Sequence, residues 1–336
     1  MELQELQGRI RELRRNARRK DIRGPIGIWS EKDRLDGKIV DTLVIILRTK
    51  GCRWAYHSGC SMCGYFNDTN PNISTDDLIA QIEEARNKYS GEKMVKVFTS
   101  GSFLDDWEVP PVVQKEIYES FESAERIIVE TRPEYVTREK VEELKKYDNI
   151  MVALGLESAN DITLKYRINK GFEVKDYVKA AELLNSYKIP VKTYILLKPP
   201  FITEGMAIDE AIKSIIFASR YSEVISLNPM NIQNNTLVEY LWRRGEYRAP
   251  WLWSVVEVLK RTYEIGKDVV SYPTAGGTKR GAHNCGRCDE KVLRGINQFS
   301  LTQEIKYLEE LDCPCRQRWE KIVKYEGYFW DYSINS

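Results

Sequence analysis

The chain has 336 residues, 42% hydrophobic and 30% charged, with a formal net charge of +1 and seven cysteines. That balance is ordinary for a globular protein, and the length allows one large domain with a smaller companion. No apolar run approaches the ~18 residues that would span a bilayer, so no membrane segment is expected. The N-terminus is charged from Glu2 and lacks the apolar core of a secretory signal, which predicts a cytoplasmic setting. Clustered cysteines in such a setting bind metal more often than they form disulfides.

Residues 1–38 read as a basic helix and a linker. Leu3, Leu6, Ile10, Leu13 and Ala17 recur at spacings of three and four, an apolar stripe on one helix face. From Arg9 to Arg23 eight Lys and Arg stand against Glu12 and Asp21, a local charge of +6 in fifteen residues. A helix docked by its stripe would offer Arg14, Arg15, Arg18 and Arg19 to phosphates. A solvated face is the alternative. A membrane-surface helix has less support, because the stripe lacks anchoring aromatics.

The run Ile39–Leu47 reads as a buried strand that ends in a loop carrying Cys52, Cys60 and Cys63. Strand-like runs recur at 95–98, 127–129, 150–154, 191–197 and 224–227. Helical candidates lie between them, from the Ser74-Thr75-Asp76-Asp77 start and around 111–124, 137–147, 174–187 and 206–220. Such alternation over residues 39–235 predicts an α/β fold with a parallel sheet, curled into a partial (βα)6 barrel; an open doubly wound sheet is the alternative. In either architecture ligands bind at the carboxyl ends of the strands.

Those ends carry the unusual residues: the cysteine loop, Ser100-Gly101-Ser102, Glu130-Thr131-Arg132-Pro133, Gly155-Leu156-Glu157, Lys198-Pro199-Pro200 and Asn228-Pro229-Met230-Asn231. Thiolates bind iron–sulfur clusters, and a cubane takes four. Three from one loop leave an iron open to a substrate or cofactor. The competing account is a structural zinc loop completed by His57. Gln233, Asn234 and Asn235 at the rim are candidates for hydrogen-bonding a base or a lysine head group, or are merely solvated.

Residues 236–336 read as a helical, zinc-binding domain. Leu252, Val255, Val256, Leu259 and Tyr263 form a helical stripe. Trp242, Trp251 and Trp253 suit either packing or base stacking. Cys285-Gly286-Arg287-Cys288 and Cys313-Pro314-Cys315 supply four thiolates, enough for a tetrahedral zinc site, and His283 could replace one. A second iron–sulfur cluster is the rival.

Three loop cysteines, a Ser-Gly-Ser turn and Glu-Thr-Arg-Pro at successive strand ends resemble the radical S-adenosylmethionine (SAM) superfamily. The branch is the one holding the Elongator catalytic subunit and the tRNA methylthiotransferases. Seven residues separate Cys52 from Cys60 where the commoner pattern has three, and Met62 precedes Cys63 where many members carry an aromatic. With Leu197-Lys198-Pro199-Pro200-Phe201 and the cysteine-rich tail, the chain resembles the archaeosine-forming radical SAM proteins over most of its length.

The resemblance implies a [4Fe–4S] cluster on Cys52, Cys60 and Cys63, whose open iron is chelated by SAM. One electron then releases methionine and a 5′-deoxyadenosyl radical. It implies SAM contacts from Tyr65, from Ser100 and Gly101 to the amino group, from Glu130 and Glu157 to ammonium or ribose, and from Arg132 or Arg167 to the carboxylate. The implied substrate is a 7-deazaguanine in tRNA, joined to the side-chain nitrogen of a lysine. Cleaving the lysine carbon–nitrogen bond, a lyase reaction, leaves the formamidine of archaeosine. Implied partners are tRNA and the archaeosine synthase that attaches the lysine.

Alternatives are weaker. A methylthiotransferase normally has three further cysteines, and the 51 residues before Cys52 contain none. About 100 residues after the barrel leave little room for an Elongator-type acetyltransferase domain. A non-enzymatic RNA-binding protein with two structural metals would need a fourth protein ligand, such as His57, beside the loop cysteines.

Overall fold

The computed structural model describes residues 3–17, 19 and 21–334. One sheet of eight strands, in sequence order, frames it. The strands are β1 (Gly27–Leu35), β2 (Lys38–Ile46), β3 (Met94–Phe98), β4 (Arg126–Thr131), β5 (Ile150–Glu157), β6 (Val191–Leu197), β7 (Val224–Pro229) and β8 (Asp268–Val270). β1 runs antiparallel to β2, and each later pair of neighbours is parallel. Strands β2 to β7 are the six expected from the apolar runs, with helices between them. The curled, incompletely closed sheet is the expected partial barrel.

Both faces of these strands are buried, which is why they read as continuous apolar runs. Leu43, Ile45, Val95, Val97, Ile127, Val129, Val152 and Leu154 face outward into the main core beneath the helices. Inside the barrel lies a smaller cluster of Leu35, Val40, Met94, Ile128, Met151 and Ala153. The helices start where the sequence signals them. Ser74 and Asp77 form a capping box, and Thr137 and Thr203 each accept a backbone N–H in the first turn.

Two strands lie outside the expected set. β1 occupies what read as linker, and its alternation is disguised because Glu31 and Asp33 are charged. Lys96 pairs with both, and the Tyr272 hydroxyl donates to Asp33 at 2.6 Å. The turn into β2 did carry a signal: Asp36 and Gly37 have φ of 47° and 80°, as a two-residue Asp-Gly hairpin requires. β8 has three residues, too few for any period to show.

The sheet edges β1 and β8 are bridged by side chains at their amino-end mouth. Arg34 pairs with Asp268 at 2.8 Å and donates to the Leu301 carbonyl. Burial would raise the Asp33 carboxyl, but Lys96, Lys192 and Tyr272 hold it down at about 2. This ionic layer occupies the amino end of the barrel, opposite the carboxyl end where the cysteine loop lies.

The N-terminal helix spans Leu3–Arg14 and docks by its stripe, with Leu6 and Ile10 packed among Leu237, Val238 and Leu241. It stops at Arg14, so most of the basic segment follows the helix instead of decorating it; Arg18 and Lys20 lie outside the described residues. Arg14 is itself buried, which removes it from the phosphate-binding set. In the tail, the helix Leu252–Arg261 buries Leu252, Val255, Val256 and Leu259, while Tyr263 is exposed beyond it. Trp251 and Trp253 are core residues, and Arg280 lies over the Trp242 ring. Cys288, Val292, Ile296, Phe299 and Trp319 belong to the main core, so the tail shares its packing with the barrel.

The end of β6 is pinned through a buried pair. Lys198 meets Glu204 at 2.6 Å, and Glu204 also accepts the Trp251 N–H at 2.7 Å and the Ser254 hydroxyl at 2.5 Å. The lysine of Lys-Pro-Pro is therefore structural. Glu204→Ala strands a buried ammonium, which typically costs ~3–5 kcal/mol. Thermal unfolding should show a clearly lower midpoint for Glu204→Ala and a smaller loss for Glu204→Gln, which retains an acceptor.

Candidate active site

The cysteine loop leaves β2 at the open end of the barrel. Its path is set by backbone contacts, since the only regular pieces are the short helix Arg53–His57 and the turn Tyr65–Asp68. Ser61 donates its N–H to the Ile168 carbonyl at 2.8 Å and its hydroxyl to that of Arg167 at 2.7 Å. Asn169, left-handed at φ 56°, donates its side-chain amide to Ser58 Oγ and to the Gly59 carbonyl. The Trp54 indole N–H returns to the Asn169 carbonyl at 2.9 Å. At the far end the Gly64 N–H is held by Gln233, and Asn67 donates to the Gly64 and Asn234 carbonyls. Gln233 and Asn234, candidates for substrate contacts or for a solvated rim, instead serve the loop.

The Ser-Gly-Ser turn lies directly against these cysteines. A β-carbon on Gly101 would fall 2.5 Å from Cys52 Cα, so only glycine permits the approach. Ser100 donates to the Tyr65 carbonyl at 3.4 Å, while the Ser102 N–H donates to Glu108 at 2.7 Å and its hydroxyl oxygen accepts the Arg132 N–H at 3.0 Å. Arg132 is buried, paired with Glu134 at 2.6 Å, and its guanidinium lies over Trp54 and Phe172. Its charge acts on Cys52 and Cys60.

Two acids reach the bowl from the strand ends. Glu130 accepts the Thr99 N–H at 3.0 Å. It keeps some accessible surface, yet the surrounding protein desolvates it, and with Glu108 and Glu157 nearby its carboxyl is pushed up to about 8. Glu157 sits at a bulge in β5 with φ 66°, and pairs with the buried Lys170 at 2.8 Å. A left-handed, non-glycine residue at a strand end is a strained conformation of the kind that accumulates at functional sites. Gly155 leaves room for this pair, since a β-carbon there would lie 3.1 Å from both charged atoms. Tyr65 is half exposed on the wall, its hydroxyl beside Gln233 and in the field of Glu130 and Glu157.

Tyr65, Ser100, Gly101, Glu130, Arg132 and Glu157 thus converge with the three cysteines. Arg167 does not join them. Its carbonyl faces the loop, so its guanidinium points outward, where it pairs with Glu210 at 3.2 Å and bonds Thr163. There it lines a cavity of about 540 Å³ between the barrel helices and the last helix. Lys170 and Asn169 carry no signal in the sequence, while Arg14 and Gln233 serve the loop instead of phosphates or a substrate.

His57 is exposed and packs on Trp54, ring centroids 5.3 Å apart. Among the described residues, the only group of metal-ligating side chains drawn to single-ion spacing is the one in the tail. The loop thiols do not form such a group, and His57, the candidate fourth ligand, packs against Trp54. A cubane, which binds each thiolate to a different iron, suits them. Burial pushes the Cys52 thiol up to about 12 against the pull of Arg132, so a bound metal is what would keep it deprotonated at neutral pH.

In the tail, Cys285, Cys288, Cys313 and Cys315 have all ligand atoms within 4.8 Å of one another. Neighbouring sulfurs are separated by 3.8, 3.9 and 3.7 Å. The Asp289 carboxylate accepts the Asn284 and Gly286 N–H groups and shapes the knuckle, while the Trp253 indole N–H donates to Cys315 Sγ at 3.2 Å. His283 stands apart, its Nδ1 against the Gly281 carbonyl.

Residues 46–211 match the radical SAM superfamily. The chain is a radical SAM protein, a family that brings SAM and a [4Fe–4S] cluster. It is 40% identical over 315 residues to the archaeosine synthase subunit beta of Methanosarcina acetivorans, covering 90% of this chain and 91% of that protein. With the subunit of the same name from Thermococcus kodakarensis it shares 41% identity, covering 88% and 96%. The chain belongs to the archaeosine synthase subunit beta family. A solved Elp3 from Methanocaldococcus infernus, 16% identical, superposes with a TM-score of 0.50 over 77% of this chain and 63% of that one, a likeness of fold. Among the described residues no helix is long and apolar enough to cross a membrane.

The raised Glu130 carboxyl carries a pH signature. Its folded pKa lies above the unfolded value of about 4.5, so the folded state binds the extra proton between the two. Stability of the metal-free protein should therefore fall as pH rises from about 4.5 to about 8. Thermal melts across that range should show a shallower decline for Glu130→Gln; identical slopes would refute the assignment.

Proposed function

We propose that the protein is the radical-generating subunit of archaeosine formation, a lyase acting on tRNA. The observation that carries this is three thiols presented from one loop against the strand-end residues Gly101 and Arg132, in a chain 40% identical to an archaeosine synthase subunit beta over nearly its whole length. The substrate is a 7-deazaguanine nucleoside whose former nitrile carbon bears the side-chain nitrogen of a lysine. SAM bound at the cluster supplies a 5′-deoxyadenosyl radical, and the outcome is scission of the lysine carbon–nitrogen bond to leave the formamidine.

The chain's own part is binding, orientation and exclusion of water. Cys52, Cys60 and Cys63 hold three irons. Glu130 and Glu157 offer carboxylate oxygens to ammonium and ribose hydroxyls, while Ser100, Gly101 and Tyr65 border the same space. Arg132, stacked between Trp54 and Phe172, supplies the positive field for a carboxylate. The cysteine loop and both acids lie at the carboxyl end of the strands, so the modified base enters from that side. The partner is the archaeosine synthase subunit that attaches the lysine.

The decisive experiment incubates anaerobic, reconstituted protein with lysine-bearing tRNA, SAM and a reductant, and follows tRNA nucleosides by mass spectrometry. Archaeosine and 5′-deoxyadenosine should appear together. Cys60→Ala should lose most of the loop's iron and all 5′-deoxyadenosine. SAM cleavage without archaeosine would leave a radical SAM enzyme with another substrate.

The tail thiols hold a structural zinc. With Zn–S bonds of ~2.3 Å, a tetrahedron has sulfurs ~3.8 Å apart. The separations of 3.7 to 3.9 Å fit that value, whereas a cubane would spread the sulfurs more widely. Metal analysis should find about one zinc per chain that survives loss of the cluster. Cys288→Ala should lower the unfolding midpoint before it changes SAM cleavage. Additional iron and sulfide in place of zinc would overturn the assignment.

A further inference from the structure

Arg14 ends the N-terminal helix with its guanidinium in the cysteine loop. It donates to the carbonyls of Cys60 at 3.1 Å, Cys63 at 3.2 Å and Ala55 at 3.4 Å, and is 8% exposed. Its nearest contact on the other side is Gly59, left-handed at φ 86°, where any β-carbon would collide with the guanidinium. The loop is therefore shaped to admit this arginine, and the arginine caps carbonyls that the loop cannot satisfy itself. Its guanidinium bonds are all to carbonyls of the cysteine loop, so its charge is directed there. Gln7, two turns earlier, donates to Asn169 Oδ1 at 3.1 Å, tying the same helix to the other residue that holds Gly59.

We propose that Arg14 is a positioning residue for the cluster, fixing the backbone between Cys60 and Cys63 and favouring the reduced cluster by its charge. The proposal rests on Cys52, Cys60 and Cys63 being the cluster ligands. Reduction would add an electron to the cluster, and a cation shielded from water against the Cys60 and Cys63 carbonyls would stabilise the added charge. The hydrogen bonds act separately from the charge: they hold the two ligand-bearing residues in one backbone geometry. One side chain performs both tasks, so the two can be separated by substitution.

The test is an EPR-monitored redox titration of reconstituted wild type, Arg14→Gln and Arg14→Lys, with iron release to a chelator measured in parallel. Arg14→Gln should shift the midpoint to a more negative potential and release iron several-fold faster. Arg14→Lys keeps the charge but not the fork that reaches several carbonyls, so its potential should stay with wild type while iron release accelerates. Wild-type potential in a folded Arg14→Gln, or wild-type iron release in Arg14→Lys, overturns the proposal; the second arm decides if Arg14→Gln does not fold. Wild type that takes up no [4Fe–4S] cluster would instead overturn the ligand assignment beneath it, and the proposal with it.

Discussion

Three sulfurs must be held in fixed relation by a stretch with little secondary structure of its own, and much of the surrounding architecture answers that demand. Buried backbone groups need partners, and a loop cannot supply them internally. Donors and acceptors therefore converge from distant parts of the chain: Arg14 from the N-terminal helix, Asn169 after β5, and Gln233 after β7. The π-helical turn Thr163–Ile168 explains how β5 contributes. It ends at a left-handed Asn169, and this leaves the Arg167 and Ile168 carbonyls free to receive Ser61. An irregular helix here is a device for presenting carbonyls sideways.

The two ends of the barrel have opposite electrostatic characters. At the amino end Asp33, Lys96, Lys192 and Tyr272 are brought close enough to compensate one another, and burial brings Lys192 down to about 8. At the carboxyl end no side-chain cation among the described residues hydrogen-bonds Glu130, and burial with Glu108 and Glu157 raises it against the pull of Lys170. An acid kept desolvated and short of positive charge is poised for a cationic ligand. Under the function proposed above, SAM with its sulfonium and ammonium would be such a ligand.

What the sequence disclosed follows from these physical roles. β2 to β7 were legible because burial on both faces demands apolar runs. β1 was hidden because its inward positions pair with Lys96 instead of packing, although Asp36-Gly37 announced the hairpin. The cysteines and the acids at the strand ends were visible from residue type and placement. Arg14 resembled Arg11 and Arg15 in composition, yet it stands four residues after Ile10 and so falls on the buried stripe. A cation on an apolar face was the available signal. Arg132 and Arg167 could not be ranked, because the turn that sends Arg167 outward has no period of its own. Asn169 and Gln233 act through contacts more than a hundred residues away in sequence, which no local pattern encodes.

The tail is bound to the site through the geometry of the sheet. An incompletely closed barrel leaves strand edges with unpaired backbone groups, and such edges need cover. The helix Asp289–Thr302 begins at the Cys285–Cys288 knuckle and runs to those edges. Ser300 exchanges hydrogen bonds with Ser271, just past β8, and Gln303 brackets Val269 within it. The Leu301 carbonyl receives Arg34 from β1. A metal at the knuckle would thus fix the start of the element that bridges the open side of the barrel. Its place in the tail does not make it independent of the barrel, since the helix it starts covers β8 and meets β1 where Arg34 pairs with Asp268.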